Sequence, residues 1–156
     1  MEYLKQEQVV VTDPYFQNAL ELDVDNLLVL EADRLLAGFR ETACYAKGMT
    51  DRDEITAYMK NCERYGGGWE NSLIGGHIMG HYLTAVAQGV VNPALSKKDR
   101  DALQERMDYL VDELAACQDM TMGTDFEGYL FGATLPTEDF HKKVDLQFDN
   151  VEHRLT

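Results

Sequence analysis

Basic residues are scarce in this chain. Its 156 residues include 14 Lys and Arg against 28 Asp and Glu, which gives a formal net charge of -14. A chain with this balance repels phosphate backbones and anionic lipid surfaces. We therefore expect that neither a nucleic acid nor a membrane is its partner.

Cysteine is scarce as well. The three cysteines, Cys44, Cys62 and Cys117, are scattered along the chain and form no CxxC pair. An odd, scattered set is typical of reduced thiols rather than of a disulfide framework. None of the three has the local sequence of a cysteine nucleophile. Cys117 falls on an apolar helical stripe, which predicts a position in the core.

Long apolar runs are missing too. The opening MEYLKQEQVVV has no basic region followed by an apolar stretch, so it does not resemble a signal peptide. The most apolar stretch of the chain contains two histidines, a glutamine and several glycines, which makes it unsuitable as a membrane span. Hydrophobic residues make up 45% of the chain, enough for the core of a single domain. We expect a cytoplasmic protein.

Two consecutive segments predict helices of opposite character. Between Ser72 and Ser96 there is no Asp, Glu, Lys or Arg, although 27% of the chain is charged. The predicted helix from Ser72 to Val91 therefore has no charged face and should be enclosed on most sides. The next helix, from about Lys97 to Gln118, is amphipathic. Its predicted apolar stripe consists of Leu103, Met107, Leu110, Val111, Leu114 and Cys117.

This alternation of an enclosed helix with an amphipathic one predicts an all-α fold with two concentric helical layers. Inner helices would line a cavity and outer helices would face water. Acidic residues of the amphipathic helix, such as Asp108, Asp112 and Glu113, are interpreted as solvated surface charges.

Shorter elements are predicted on both sides of these helices. Thr12 or Asp13 can cap a helix that starts at Pro14 and continues to about Leu30. DRLLAGFR then predicts a short helix or turn. Residues 40 to 70 look irregular apart from a brief helix in DRDEITAYMKNCER, and a last short helix is predicted at TEDFHKK.

The stretch GGGWENSLIGGHIMGHYLTA carries the chemistry of most interest. His77 and His81 are four residues apart, which places both imidazoles on one side of a helix. Such a pair suits zinc, but the glutamate of an HExxH motif is missing and no third ligand is evident nearby. A second interpretation is a polar cavity that binds sugar hydroxyls, with Trp69 stacking on a sugar ring and Glu70 offering a carboxylate. A third is a pair of buried core histidines bonded to the backbone.

A family resemblance separates these interpretations. DRLLAGFR, GHIMGHYL, and LAACQ followed by GYL occur in an order and spacing that resembles the N-terminal part of the β-L-arabinofuranosidase-like proteins of glycoside hydrolase family 127. The resemblance covers about Val10 to Leu130. It implies an (α/α)6 barrel followed by β-sandwich domains. It also implies retaining hydrolysis of arabinofuranosides or related plant glycans, with a cysteine nucleophile at a zinc site and a glutamate as acid/base.

The resemblance assigns no catalytic or metal-binding residue to this chain. None of its cysteines matches the family motif, and the catalytic residues and zinc ligands of the family are expected downstream of Thr156. We therefore predict that residues 1–156 are the N-terminal part of the barrel domain, comprising about two inner and outer helical pairs. The rest of the barrel and the β-sandwich domains would lie outside this chain.

In this interpretation the chain supplies scaffold and pocket wall for a carbohydrate substrate. The candidate substrate-binding residues are His77, His81, Trp69 and Glu70. Alone, the chain should be inactive, without a cofactor of its own, and should self-associate through exposed apolar edges. The alternative is a self-contained helical binding module that uses His77 and His81 for a metal or a small ligand.

Overall fold

The computed structural model describes residues 4, 5, 8–67, 70 and 75–133. This part of the chain contains five helices: α1 (Pro14–Val29), α2 (Ala32–Ala46), α3 (Arg52–Tyr58), α4 (His77–Val90) and α5 (Lys97–Met120). No strand occurs in the ranges just given, which confirms the predicted all-α class. Across the same ranges, every helix is too short or too polar to span a bilayer.

The chain divides into two compact units. The first unit consists of Met1–Ala32 and Met79–Asp112, and the second of Asp33–Ile78 and Glu113–Thr156. Each unit therefore combines two segments that are distant in sequence. The predicted helix at TEDFHKK and the predicted helix start at Ser72 lie outside the residues that the structure describes.

In the first unit, both ends of α1 are fixed by side chains. Asp13 caps the N-terminus, where its carboxylate accepts a hydrogen bond from the Tyr15 amide at 2.9 Å, as predicted. At the other end, the Tyr82 hydroxyl donates to the Leu27 carbonyl at 2.6 Å. Arg106 donates to the carbonyls of Leu28 and Leu30 and to the Tyr82 hydroxyl. These carbonyls have no partner within the helix, so α4 and α5 complete the end of α1.

The predicted cap of α5 is also confirmed. The Ser96 hydroxyl accepts a hydrogen bond from the Asp99 amide at 3.1 Å. Four members of the predicted stripe are buried, namely Leu103, Leu110, Leu114 and Cys117. Val111 was assigned to the stripe wrongly, since it is 50% exposed. It follows Leu110 directly and so lies about 100° further around the helix, outside the buried face.

In the second unit, α2 is longer than the sequence predicted. It continues to Ala46, and every residue from Leu36 to Cys44 is buried. The interpretation of residues 40–46 as irregular was wrong, because Arg40, Glu41 and Thr42 look like surface residues in the sequence but are buried within α2. The brief helix α3 is confirmed, and Ile55 is among its buried residues.

A buried ion-pair network belongs to the second unit. Arg40 is only 1% exposed, and its Nη2 lies 2.7 Å from an Asp33 carboxylate oxygen and 2.5 Å from one of Glu113. Lys60 reaches the other Glu113 oxygen at 2.9 Å. Glu113 is therefore not the solvated surface charge that the sequence suggested. Partial desolvation opposes ionisation, but hydrogen bonds from Lys60 and Arg40 outweigh it and lower the pKa of Glu113.

Candidate functional site

Helix α4 has a buried side and an exposed side. Met79, Tyr82, Val86 and Gly89 are buried. The exposed residues of α4 are His77, Ile78, Gly80, His81, Thr84, Ala87 and Gln88, and all of them except Ile78 lie on one face of the helix. The expectation of a helix enclosed on most sides thus fails along this face, and the interpretation of the histidines as buried core residues was wrong. An exposed surface in a strongly charged chain normally carries charge, whereas this face carries only neutral polar and small residues.

The polar groups of this face lie at successive helical turns. His77 and His81 project from the same side of α4, one turn apart, as predicted from their spacing. Thr84 follows them, and its hydroxyl donates back to the Gly80 carbonyl at 2.8 Å. Gly80 has open space where a side chain would start, so the helix backbone itself is accessible between the two histidines.

Glu70 lies at the N-terminus of α4. Its Oε2 accepts a hydrogen bond from the Gly76 amide at 2.8 Å, and its Oε1 accepts one from the Ile78 amide at 3.0 Å. The sequence predicted a carboxylate near the histidines, and the structure shows that this carboxylate binds the helix backbone. Trp69, the predicted stacking residue, lies outside the described part of the chain.

The turn before α4 packs closely against the segment that follows α5. Gly76 has a φ of +90°, and a Cβ there would lie 2.9 Å from both the Gly132 Cα and the Phe39 ring. Only glycine fits such a contact without displacement. Gly132 was not singled out in the sequence because a single glycine in a loop gives no signal of its distant neighbours.

The buried thiols do not fit the cysteine nucleophile that the family resemblance implies. Burial raises the pKa of both Cys44 and Cys117 to about 11, and for Cys44 the charges of Cys117 and Glu41 act in the same direction. A cysteine nucleophile reacts as the thiolate, which such an environment disfavours. Both residues are core residues, as predicted for Cys117.

The described residues do not fit the implied zinc site either. Within these ranges there is no group of three or more His, Cys, Asp or Glu placed to hold a metal ion. The histidine pair of α4 therefore has no third protein ligand among them, and a structural zinc site normally has four. The alternative interpretation as a metal-binding module gains no support.

Comparison with known families gives the class of protein. The family model for the beta-L-arabinofuranosidase GH127 catalytic domain matches residues 8–154. The chain therefore belongs to glycoside hydrolase family 127, which confirms the resemblance found in its motifs. The all-helical structure of the described residues is consistent with part of the helical barrel expected for this family. Searches of curated proteins and of solved structures found no match.

Proposed function

We propose that this chain forms the N-terminal part of a glycoside hydrolase barrel that acts on arabinofuranosides or related plant glycans. In this proposal the exposed face of α4 is part of the wall of the sugar-binding pocket. The observation that carries it is the exposed, uncharged polar face of α4 in a chain of this family. The beta-L-arabinofuranosidase named by the family supports the choice of sugar.

The chemistry of the face suits a sugar. Each sugar hydroxyl can donate and accept a hydrogen bond, and a neutral imidazole offers one donor and one acceptor. His77 and His81 supply two such groups one turn apart. Gly80 between them leaves room for a sugar ring to approach the helix. Trp69 remains the predicted stacking residue.

We propose that this chain binds the sugar but does not hydrolyse glycosides by itself. Cys44 and Cys117 are buried thiols with a raised pKa and do not supply a nucleophile. We expect residues 1–156 to bind L-arabinose weakly and to show no turnover of aryl-arabinofuranosides. Binding is measured from the shifts of the histidine ring signals in nuclear magnetic resonance spectra as L-arabinose is added. Turnover is measured from release of the aryl group.

Two variants and one control ligand complete this experiment. The double variant His77→Ala, His81→Ala should abolish the sugar-dependent changes in backbone amide signals of α4. Lys98→Ala, an exposed substitution on α5, should leave them intact. Glycerol should cause no saturable shift. Robust turnover would contradict the prediction that the chain is inactive. The absence of any sugar-dependent change in α4 would contradict the prediction that its exposed face binds sugar. Stoichiometric zinc that survives dialysis and is lost in the double variant would favour the metal-binding module.

We also propose that the isolated chain self-associates through apolar side chains. On α1, Tyr15 is 75% exposed and Val29 is 78% exposed. Other large exposed apolar residues of the helices are Phe16, Leu22, Ile78 and Val111. Exposed apolar side chains of this size favour association when the helices that would cover them are missing.

The net charge makes this association sensitive to salt. Copies that each carry a charge of -14 repel one another, and salt screens this repulsion. We expect sedimentation velocity to show association that grows with protein concentration and with added sodium chloride. Val29→Ser should weaken it, while Ala116→Ser, a substitution at an exposed neutral position of α5, should not. A monomer under all conditions, with little binding of an apolar dye, would contradict the proposal.

A further inference from the structure

We infer that Glu70 is a positioning residue, which fixes the first turn of α4 and thereby the place of His77. This inference rests on the proposed function, because the position of His77 matters only if His77 binds the sugar. Glu70 binds the amides of Gly76 and Ile78, at 2.8 and 3.0 Å. His77 lies between these two residues, so the carboxylate holds the backbone on both sides of the histidine.

The first turn of α4 needs such a partner. The first amides of any helix have no acceptor within the helix. They are usually capped by Ser, Thr, Asp or Asn just before the first turn, but here that position is Gly76. No acidic residue occurs in the first turn of α4. Glu70 supplies the acceptor from six residues upstream, and its negative charge is favoured at a helix N-terminus.

A second contact holds the same turn from another direction. The Cα of Gly76 lies so close to Gly132 and the ring of Phe39 that no side chain would fit. Glu70 therefore completes a turn that packing already restricts, and the start of α4 has one defined place in the second unit. Both carboxylate oxygens bind main-chain amides, which suits a positioning role better than direct contact with a sugar.

The test compares Glu70→Gln with Glu105→Gln in residues 1–156. Glu105 is exposed in the middle of α5 and provides the matched control. Glutamine keeps one acceptor oxygen but loses the charge and the second acceptor. We expect hydrogen exchange at the Gly76 and Ile78 amides to become roughly tenfold faster in Glu70→Gln. The L-arabinose-dependent shift of the His77 ring should weaken in the same variant. Glu105→Gln should change neither quantity.

The conservative variant Glu70→Asp provides a rescue. Its carboxylate is one methylene shorter, so we expect it to restore protection at one of the two amides and part of the sugar response. If Glu70→Gln does not fold, as judged by circular dichroism, the test uses Glu70→Asp. Hydrogen exchange should then be faster at whichever of the two amides the shorter carboxylate does not reach.

The outcomes separate this inference from the proposed function. Unchanged exchange at both amides would overturn the positioning role. A sugar response lost without any change in exchange would also overturn it and would assign Glu70 to sugar contact. Faster exchange in Glu70→Gln, with no sugar response even in the unsubstituted chain, would support the positioning of α4 and overturn the sugar-binding role of its face.

Discussion

Replacement of Arg40 by methionine is expected to lower the free energy of unfolding by about 1 to 3 kcal/mol. Methionine fills part of the buried space but removes the charge that binds Asp33 and Glu113. These two carboxylates would remain close together with only Lys60 between them. The cost arises because both carboxylates lose the charged hydrogen bonds of Arg40, while partial exposure and Lys60 compensate for part of the loss. Urea denaturation followed by circular dichroism measures the change.

Arg52→Met is the matched control. Arg52 also binds a carboxylate, that of Glu41, but its own side chain is 65% exposed. Pairs of this kind contribute less than about 1 kcal/mol. Equal effects of the two substitutions would contradict a special role for the buried arginine.

The effect of Arg40→Met should also depend on pH. In the folded chain Arg40 and Lys60 lower the pKa of Glu113 against the opposing effect of desolvation. A lowered carboxylate pKa contributes stability above the pKa of the unfolded chain, and this stability is lost as the pH falls through the folded-state value. The difference between the unsubstituted chain and Arg40→Met should therefore shrink in acid. A difference that grows in acid would contradict the network described.

Gly38→Ala is expected to lower the free energy of unfolding by about 1 to 3 kcal/mol. A Cβ at this position would lie 2.4 Å from the Gly132 carbonyl oxygen and 3.1 Å from an Arg64 nitrogen. The carbonyl belongs to the backbone and moves only if the segment after α5 moves away from α2. This cost exceeds the gain of about 1 kcal/mol that alanine normally brings to a helix interior.

Gly80→Ala should have the opposite sign. Gly80 is also inside a helix, but nothing lies within 4 Å of the place where its Cβ would be. Only the helix propensity then changes, and we expect stabilisation by about 0.5 to 1 kcal/mol. Thermal and urea unfolding of both variants measure the pair of effects. A stabilising Gly38→Ala would show that α2 and the Gly132 segment are not in the contact described.

Local signals in the sequence predicted much of the fold. Asp13 and Ser96 marked the starts of α1 and α5, because capping depends on residues a few positions apart. The extent of α2 could not be predicted in this way. Its interior contains Arg40, Glu41 and Thr42, which are buried and each bind a partner far outside the helix. Arg40 and Glu113, for example, are 73 residues apart.

The candidate site was predictable to a similar degree. The spacing of His77 and His81 placed them on one face. The missing charge, however, predicted an enclosed helix, and the exposure of this face contradicts that prediction. The bond of Glu70 to the start of α4 follows no recognised capping spacing, since the two residues that it joins are six positions apart. Glu113 was misjudged because residue type alone does not distinguish a paired carboxylate from its solvated neighbours on the same helix.

The way in which α1 ends has a consequence for the order of folding. The hydrogen bonds that complete it come from Tyr82 and Arg106, which follow their acceptors by 55 and by 76 to 78 residues. During synthesis α1 is therefore made long before its partners, and the carbonyls of Leu28 and Leu30 must remain hydrated until Arg106 of α5 has emerged. Contacts between such distant residues slow folding, because a long loop must close before they form. For the first unit, the hydrogen bonds that complete α1 therefore form only after the chain has been made as far as Arg106.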